Sequence, residues 1–190
     1  SVICDDQNID VWELIRLANL HPRVSILQPG PGVGGHCIAV DPWFIVDRSP
    51  NHSKLIKAAR NVNNQKPQWV VDKVKLSIAD ILLKNPSKSS CDISIACYGL
   101  AFKPDIDDLR ESPALFIART LGVTHPGQVF AVEPNIETYE GVEFDLVDCQ
   151  FALSNADIHV FLVKHAQFKS IKTVSHRYID VCGLFHSEDG

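Results

Sequence analysis

At 190 residues, 45% hydrophobic and 22% charged, the chain is long enough for one or two globular domains without a disulfide or metal staple. A formal net charge of −5 argues against bulk electrostatic binding of nucleic acid, which calls for a basic surface. The acidic start Ser1-Val2-Ile3-Cys4-Asp5-Asp6 is unlike a basic signal peptide, and no apolar run approaches the roughly 20 residues of a bilayer span, so a soluble, cytoplasmic chain with no membrane partner is expected.

Methionine is absent, which suggests a piece of something longer or a processed product. From Asn8 to Leu20, apolar Ile9, Trp12, Ile15 and Leu17 recur near helical spacing, and Asp10 and Glu13 sit toward the N-terminal end. His21-Pro22 ends that helix, because the residue before a proline avoids the α region. Four glycines within Gly30-Pro31-Gly32-Val33-Gly34-Gly35 then predict an irregular loop, and Asp41-Pro42 restarts a helix or turn. Ser53 to Asn64 reads as one helix. Pro67 reads as the first residue of another that runs to Lys84. The polar stretch Asn85-Pro86-Ser87-Lys88-Ser89-Ser90 marks a boundary between a helical region, residues 1–85, and a second domain, residues 91–190.

Beyond that boundary the period changes. Ile93–Tyr98, Val129–Val132, Ile158–Val163 and Tyr178–Val181 read as strands, and Glu111–Leu121 and Cys149–Ser154 as helices. Strand–helix–strand repetition predicts an α/β domain with a parallel sheet, and ligands of such sheets bind beyond the carboxyl ends of the strands.

Six cysteines lie far apart, with no CxxC and no Cys/His zinc spacing, so no metal site is expected and all but Cys37 read as buried free thiols. Gly30-x-Gly32-x-x-Gly35 matches a dinucleotide fingerprint only in letters: Gln28-Pro29 precedes it where a buried strand should, and His36-Cys37-Ile38 is a poor helix start. The glycines let backbone approach a ligand, and Cys37 directly after them is placed as a nucleophile toward a carbonyl, with Asp41 four residues on to orient a water or hold a lysine. The alternative is a tight turn with a buried Cys. The segment Gly99-Leu100-Ala101-Phe102-Lys103-Pro104 with Asp107-Asp108-Leu109-Arg110-Glu111-Ser112-Pro113 stands where a phosphate site is expected. Lys103 and Arg110 are its cations; a solvated loop with local ion pairs is the competing reading.

Together, the loop Gly30–Cys37 with Asp41 and the segment Gly99–Pro113 resemble the UDP-glucose/GDP-mannose dehydrogenase family. The flanks Val11–Ile15, Leu20–Val24 and Ile38–Phe44 resemble its bacterial branch that acts on UDP-N-acetyl-D-mannosamine. The resemblance implies the second half of a helical dimerisation region followed by a Rossmann-like UDP-binding domain, with the NAD-binding domain outside this chain. It implies an NAD-dependent oxidation of the sugar C6 alcohol to a carboxylate, through a thiohemiacetal and thioester on Cys37, with Asp41 assisting the proton and water steps. It also implies substrate contacts from His21, Arg23, the backbone at Gly34, Phe102 and Lys103, an NAD contact from Arg110, and a homodimer. The family's catalytic lysine and asparagine fall upstream of Ser1, Val40 stands where many relatives have lysine, and Cys182 stands where relatives have a basic residue. The chain alone is therefore expected to be inactive while binding UDP. A non-catalytic nucleotide-binding or dimerisation module is the alternative.

Overall fold

A computed structural model describes residues 1–171, 174 and 177–186. Four helices come first: α1 (Val2–Asp6), α2 (Val11–Ala18), α3 (Asp41–Arg48) and α4 (Lys54–Lys84). They are followed by β1 (Ile95–Tyr98), α5 (Pro113–Thr124), β2 (Val129–Val132), β3 (Asp145–Leu146), α6 (Cys149–Asn155), β4 (Ile158–Phe161) and β5 (Arg177–Asp180). The expected class is the observed one, a helical segment leading into a Rossmann-like parallel sheet. Every strand pair is parallel and the order is β3-β2-β1-β4-β5. The chain moves outward from β1 to β3, then crosses to β4 on the other side of β1. The switch point therefore lies between β1 and β4.

Burial on both faces explains why β1, β2 and β4 are almost wholly apolar. Successive side chains point to opposite faces. Ile95, Cys97, Val129, Ala131, Ile158 and Val160 meet Val70, Val74 and Ile78 of α4 and Ile117 and Leu121 of α5. On the other face, Ala96, Tyr98, Phe130, Val132 and Phe161 meet Ala152 of α6 and Phe168. Tyr98 Oη and His159 Nδ1 pair at 2.8 Å inside this second layer, so the buried tyrosine hydroxyl has a partner.

The helix expected over Asn8–Leu20 is shorter, and the separate helix α1 precedes it. Asp10 is the reason for the late start: its carboxylate accepts from the N–H groups of Trp12 (2.8 Å) and Glu13 (3.2 Å), which makes it the N-cap of α2. Ser112 caps α5 ahead of Pro113, accepting from the Leu115 N–H at 3.3 Å. The two helices read on either side of Pro67 are one. α4 runs for 31 residues with Pro67 buried inside it. Proline removes the N–H that would bond the carbonyl four residues earlier, here that of Asn63. That carbonyl faces Gly32 of the glycine loop, 3.6 Å from where a Gly32 Cβ would stand. The freed acceptor thus lies where the loop docks. The second half of α4 also shares the core of the sheet, and Arg177 of β5 pairs with Asp80 of α4.

Candidate functional site

A cleft of about 940 Å³ opens at the carboxyl ends of β1, β4 and β5. Phe102, Lys103 and Pro104 after β1 form one wall, and Leu162, Val163 and Lys164 after β4 form the next. Cys182, Gly183, Phe185 and His186 after β5 continue it, and Trp12, Arg16 and Gln28–Gly32 close it from the helical side. Trp12 is the joint between the two parts of the chain. Its ring packs on Gly183 and lies 5.5 Å, centroid to centroid, from the His186 ring. Cations from three segments, Arg16, Lys103 and Lys164, face the cleft against the carboxylates of Asp10 and Glu13.

The two motifs singled out in the sequence meet. Asn63 of α4 grips the glycine loop at Val33, accepting from its N–H at 2.8 Å and donating to its carbonyl at 3.1 Å. Gly34 is buried, and a Cβ there would overlap the Glu111 carbonyl oxygen and the Pro113 ring. Glu111 is itself in the left-handed region, with φ 50°. Gly35, with φ 90°, lies under Phe102, and a Cβ there would stand 3.0 Å from the ring. Ser112 ties the far end of the second motif to its start by donating to the Leu100 carbonyl at 2.6 Å.

Cys37 follows as an exposed thiol in a turn that leads into α3, where its carbonyl accepts from the Asp41 N–H at 2.8 Å. Asp41 is exposed in the first turn of α3, a place that favours a carboxylate. Arg110 lies within electrostatic reach of Cys37, and His36 within reach of Asp108. Arg110 grasps Asp108 through Nε at 3.0 Å and Nη2 at 2.6 Å. These hydrogen bonds hold the Asp108 carboxyl down at about 2; they also raise the guanidinium above its usual range, to which the charge on Cys37 adds less.

Phe102 and Lys103 therefore line the cleft, with the Lys103 ammonium 5.6 Å from the Phe102 ring centroid. Beside it, off the cleft lining, Gly34 packs on Glu111 and Pro113 of the same segment, and Cys37 lies within electrostatic reach of that segment's Arg110. His21 and Arg23 are exposed and stand off the cleft wall; the Arg23 N–H donates to His21 Nδ1 at 3.3 Å. Sequence reasoning missed Trp12, Arg16 and the 182–186 loop as cleft residues, apart from the doubt raised over Cys182. Of the five cysteines expected to be buried, Cys97 alone is fully so, because it sits mid-strand in β1. Cys91 is exposed in a 3-10 turn, and Cys4, Cys149 and Cys182 are half-buried.

Residues 1–65 match the model for the UDP-glucose/GDP-mannose dehydrogenase family, central domain, and residues 96–185 match the model for that family's UDP binding domain. The chain belongs to the UDP-glucose/GDP-mannose dehydrogenase family. It is 59% identical over 175 residues to a UDP-N-acetyl-D-mannosamine dehydrogenase of Yersinia pestis, covering 90% of this chain and 41% of that relative. It is 55% identical over 185 residues to the protein of that name from Salmonella typhi, covering 94% of this chain and 44% of the relative. A solved UDP-N-acetyl-mannosamine dehydrogenase from S. aureus superposes with a TM-score of 0.74 at 33% identity, over 96% of this chain and 46% of that one. The chain spans less than half the length of each.

The described residues do not fit NAD on this family member's own sheet. In a dinucleotide-binding sheet the loop after the first strand turns its amides to the pyrophosphate, and an acid at the end of the second strand binds ribose. Here the acid in that place, Glu133, is buried and takes the Leu100 and Ala101 amides for itself, at 2.7 Å and 3.1 Å.

Proposed function

We propose that this chain is the substrate-binding and nucleophile-bearing portion of an NAD-dependent sugar-nucleotide 6-dehydrogenase that converts UDP-N-acetyl-D-mannosamine to UDP-N-acetyl-D-mannosaminuronate. One observation carries the reading. The switch-point cleft has Lys103 on its wall, and the loop that bears Cys37 packs on the adjoining Phe102 through Gly35. A ligand laid along the cleft thus runs from a cation toward an exposed thiol. The names of the relatives supply the substrate.

In this reading the Lys103 ammonium binds the diphosphate as a point charge. The Cys37 sulfur adds to the C6 aldehyde: a C–S bond forms, the carbonyl π pair moves to oxygen, and that oxygen takes the thiol proton. At the other end of the reaction, water attacks the thioester carbon, Asp41 takes the water's proton, and the sulfur leaves as thiolate. Two hydrides must be removed in all, one to form that aldehyde from the C6 alcohol and one between these ends, and their acceptor, NAD, would be held by a part of the enzyme other than this sheet. Arg110, exposed beside Cys37, is the residue of this chain assigned to it.

His21 and Arg23, off this cleft and exposed, suit the cleft of a second copy. A homodimer is part of the proposal: Leu55 (83% exposed) and Val62 (69% exposed) lie two turns apart on one side of α4 and would be covered by the partner. Among the described residues no helix is long and apolar enough to cross a membrane. Action in the cytoplasm is proposed with the rest.

Titration calorimetry of the chain with UDP tests the binding half. Saturable heat is expected at millimolar UDP or below, and Lys103→Ala should weaken it by about tenfold or more, the worth of a hydrogen bond to a charged group. No heat at millimolar UDP, or an unchanged affinity in Lys103→Ala, refutes the reading.

A further inference from the structure

Glu133 and His165 lie outside the cleft wall, yet they are the most thoroughly bonded polar pair among the described residues. Both side chains are fully buried. Glu133 Oε2 accepts from the N–H groups of Leu100 (2.7 Å) and Ala101 (3.1 Å) and from His165 Nε2 (3.1 Å). Its Oε1 accepts from the Asn135 N–H (3.1 Å) and side-chain Nδ2 (3.2 Å). On the other edge of the imidazole, Nδ1 accepts from the Asp105 N–H (2.9 Å) and lies 3.0 Å from Asn135 Nδ2. Two donors aimed at Nδ1 place the ring proton on Nε2, pointing at Glu133, so the histidine is the neutral tautomer. Asp105 is fastened a second time, its Oδ1 accepting from the Ala166 N–H at 2.8 Å.

The bonds fall at both ends of one loop. Leu100 and Ala101 are pinned on the β1 side and Asp105 on the far side, where its backbone is held at φ 60°. Only Phe102, Lys103 and Pro104 remain between them, and all three line the cleft. We infer that Glu133 and His165 are positioning residues that hold Lys103 in the cleft, and that the acid at the end of β2 has exchanged a ligand-binding role for this internal one. Burial pushes the Glu133 carboxyl up, but the hydrogen bonds from His165, Leu100 and Asn135 leave it below its ordinary value. It therefore stays ionised and acceptor-only, which is what five converging donors require. The Leu100 and Ala101 amides are spent on it, so within this loop the contact to a bound diphosphate falls to Lys103. That last step rests on the proposed UDP site; the clamp itself does not.

The experiment has two arms on the full 190-residue chain. The first is amide hydrogen exchange at Leu100, Ala101 and Asp105, which needs no ligand. Glu133→Gln turns an amide NH₂ toward donors, so exchange at Leu100 and Ala101 should rise by about tenfold or more, with the β1 and β4 amides unchanged. His165→Gln keeps a donor for Glu133 and withdraws the acceptor from Asp105, so exchange should rise at Asp105 alone. It also serves if Glu133→Gln does not fold. The second arm is UDP calorimetry as a double-mutant cycle. Glu133→Gln should weaken UDP by about tenfold in the native background and add nothing in Lys103→Ala. Unchanged exchange at the three amides, or equal losses of UDP affinity in both backgrounds, overturns the inference. A wild-type chain that binds no UDP refutes the proposed function, and the exchange arm then decides the clamp on its own.

Discussion

Gly34→Ala, set against Gly30→Ala in the same loop, tests whether the two motifs are held together as described. At Gly34 a methyl group would occupy the place of the Glu111 carbonyl oxygen and press on the Pro113 ring. Neither neighbour can yield, since one is backbone and the other opens α5. Overpacking of this kind costs about 1–3 kcal/mol. A domain of this size shifts its midpoint by roughly 2–4 °C per kcal/mol, so thermal unfolding should fall by roughly 2–12 °C. At Gly30 nothing lies within 4 Å of the new methyl and the backbone is not left-handed, so Gly30→Ala should match the parent or gain about 0.4–1 kcal/mol through the unfolded chain. The assay is thermal unfolding of the three proteins, followed by circular dichroism. Equal midpoints for the two variants would refute the reasoning, because the same substitution at two positions four residues apart would then be meeting the same space.

Brief iodoacetamide treatment at pH 8, read by peptide mass spectrometry, should modify Cys37 and Cys91 first and Cys97 last. Burial pushes the Cys97 thiol up to about 12 and closes it to the reagent, whereas Cys37 and Cys91 are exposed. Labelling of Cys37 no faster than Cys97 would remove the nucleophile from the proposal. Asp108, with its carboxyl at about 2 against an ordinary 3.8, contributes stability that is complete above 3.8 and lost as pH falls through about 2. Arg110→Ala removes the guanidinium but keeps the backbone N–H bond to Asp108 at 2.9 Å, so the Asp108 titration, followed by carboxyl NMR, should move up toward the ordinary range and that acid-side contribution should shrink; a midpoint still at about 2 in the variant would contradict the pairing.

The strands β1, β2 and β4 were legible because each is a short, largely apolar run, buried on both faces, bounded by glycine, proline or polar residues. The helix expected over Glu111–Leu121 was legible too, although it starts two residues later, at Pro113, and runs on to Thr124, because Ser112 is the cap and Glu111 is left-handed. Cys37, Asp41, Phe102, Lys103 and Arg110 stood out for the same reason, as chemistry carried by compact motifs. Local rules also misled. Pro67 divides a helix in one dimension, but burial against the sheet carries α4 through it, and β3, two residues with a leading aspartate, has too little pattern to register. What linear order does not hold is which distant groups face one another: Gly34 against Glu111, Trp12 on Gly183, and Glu133 and His165, 32 residues apart, closing on opposite ends of one loop. Those pairings follow from strand order and crossover, which bring the ends of β1, β2 and β4 side by side. Only in the folded sheet does Glu133 become the buried anchor of the loop that lines the cleft.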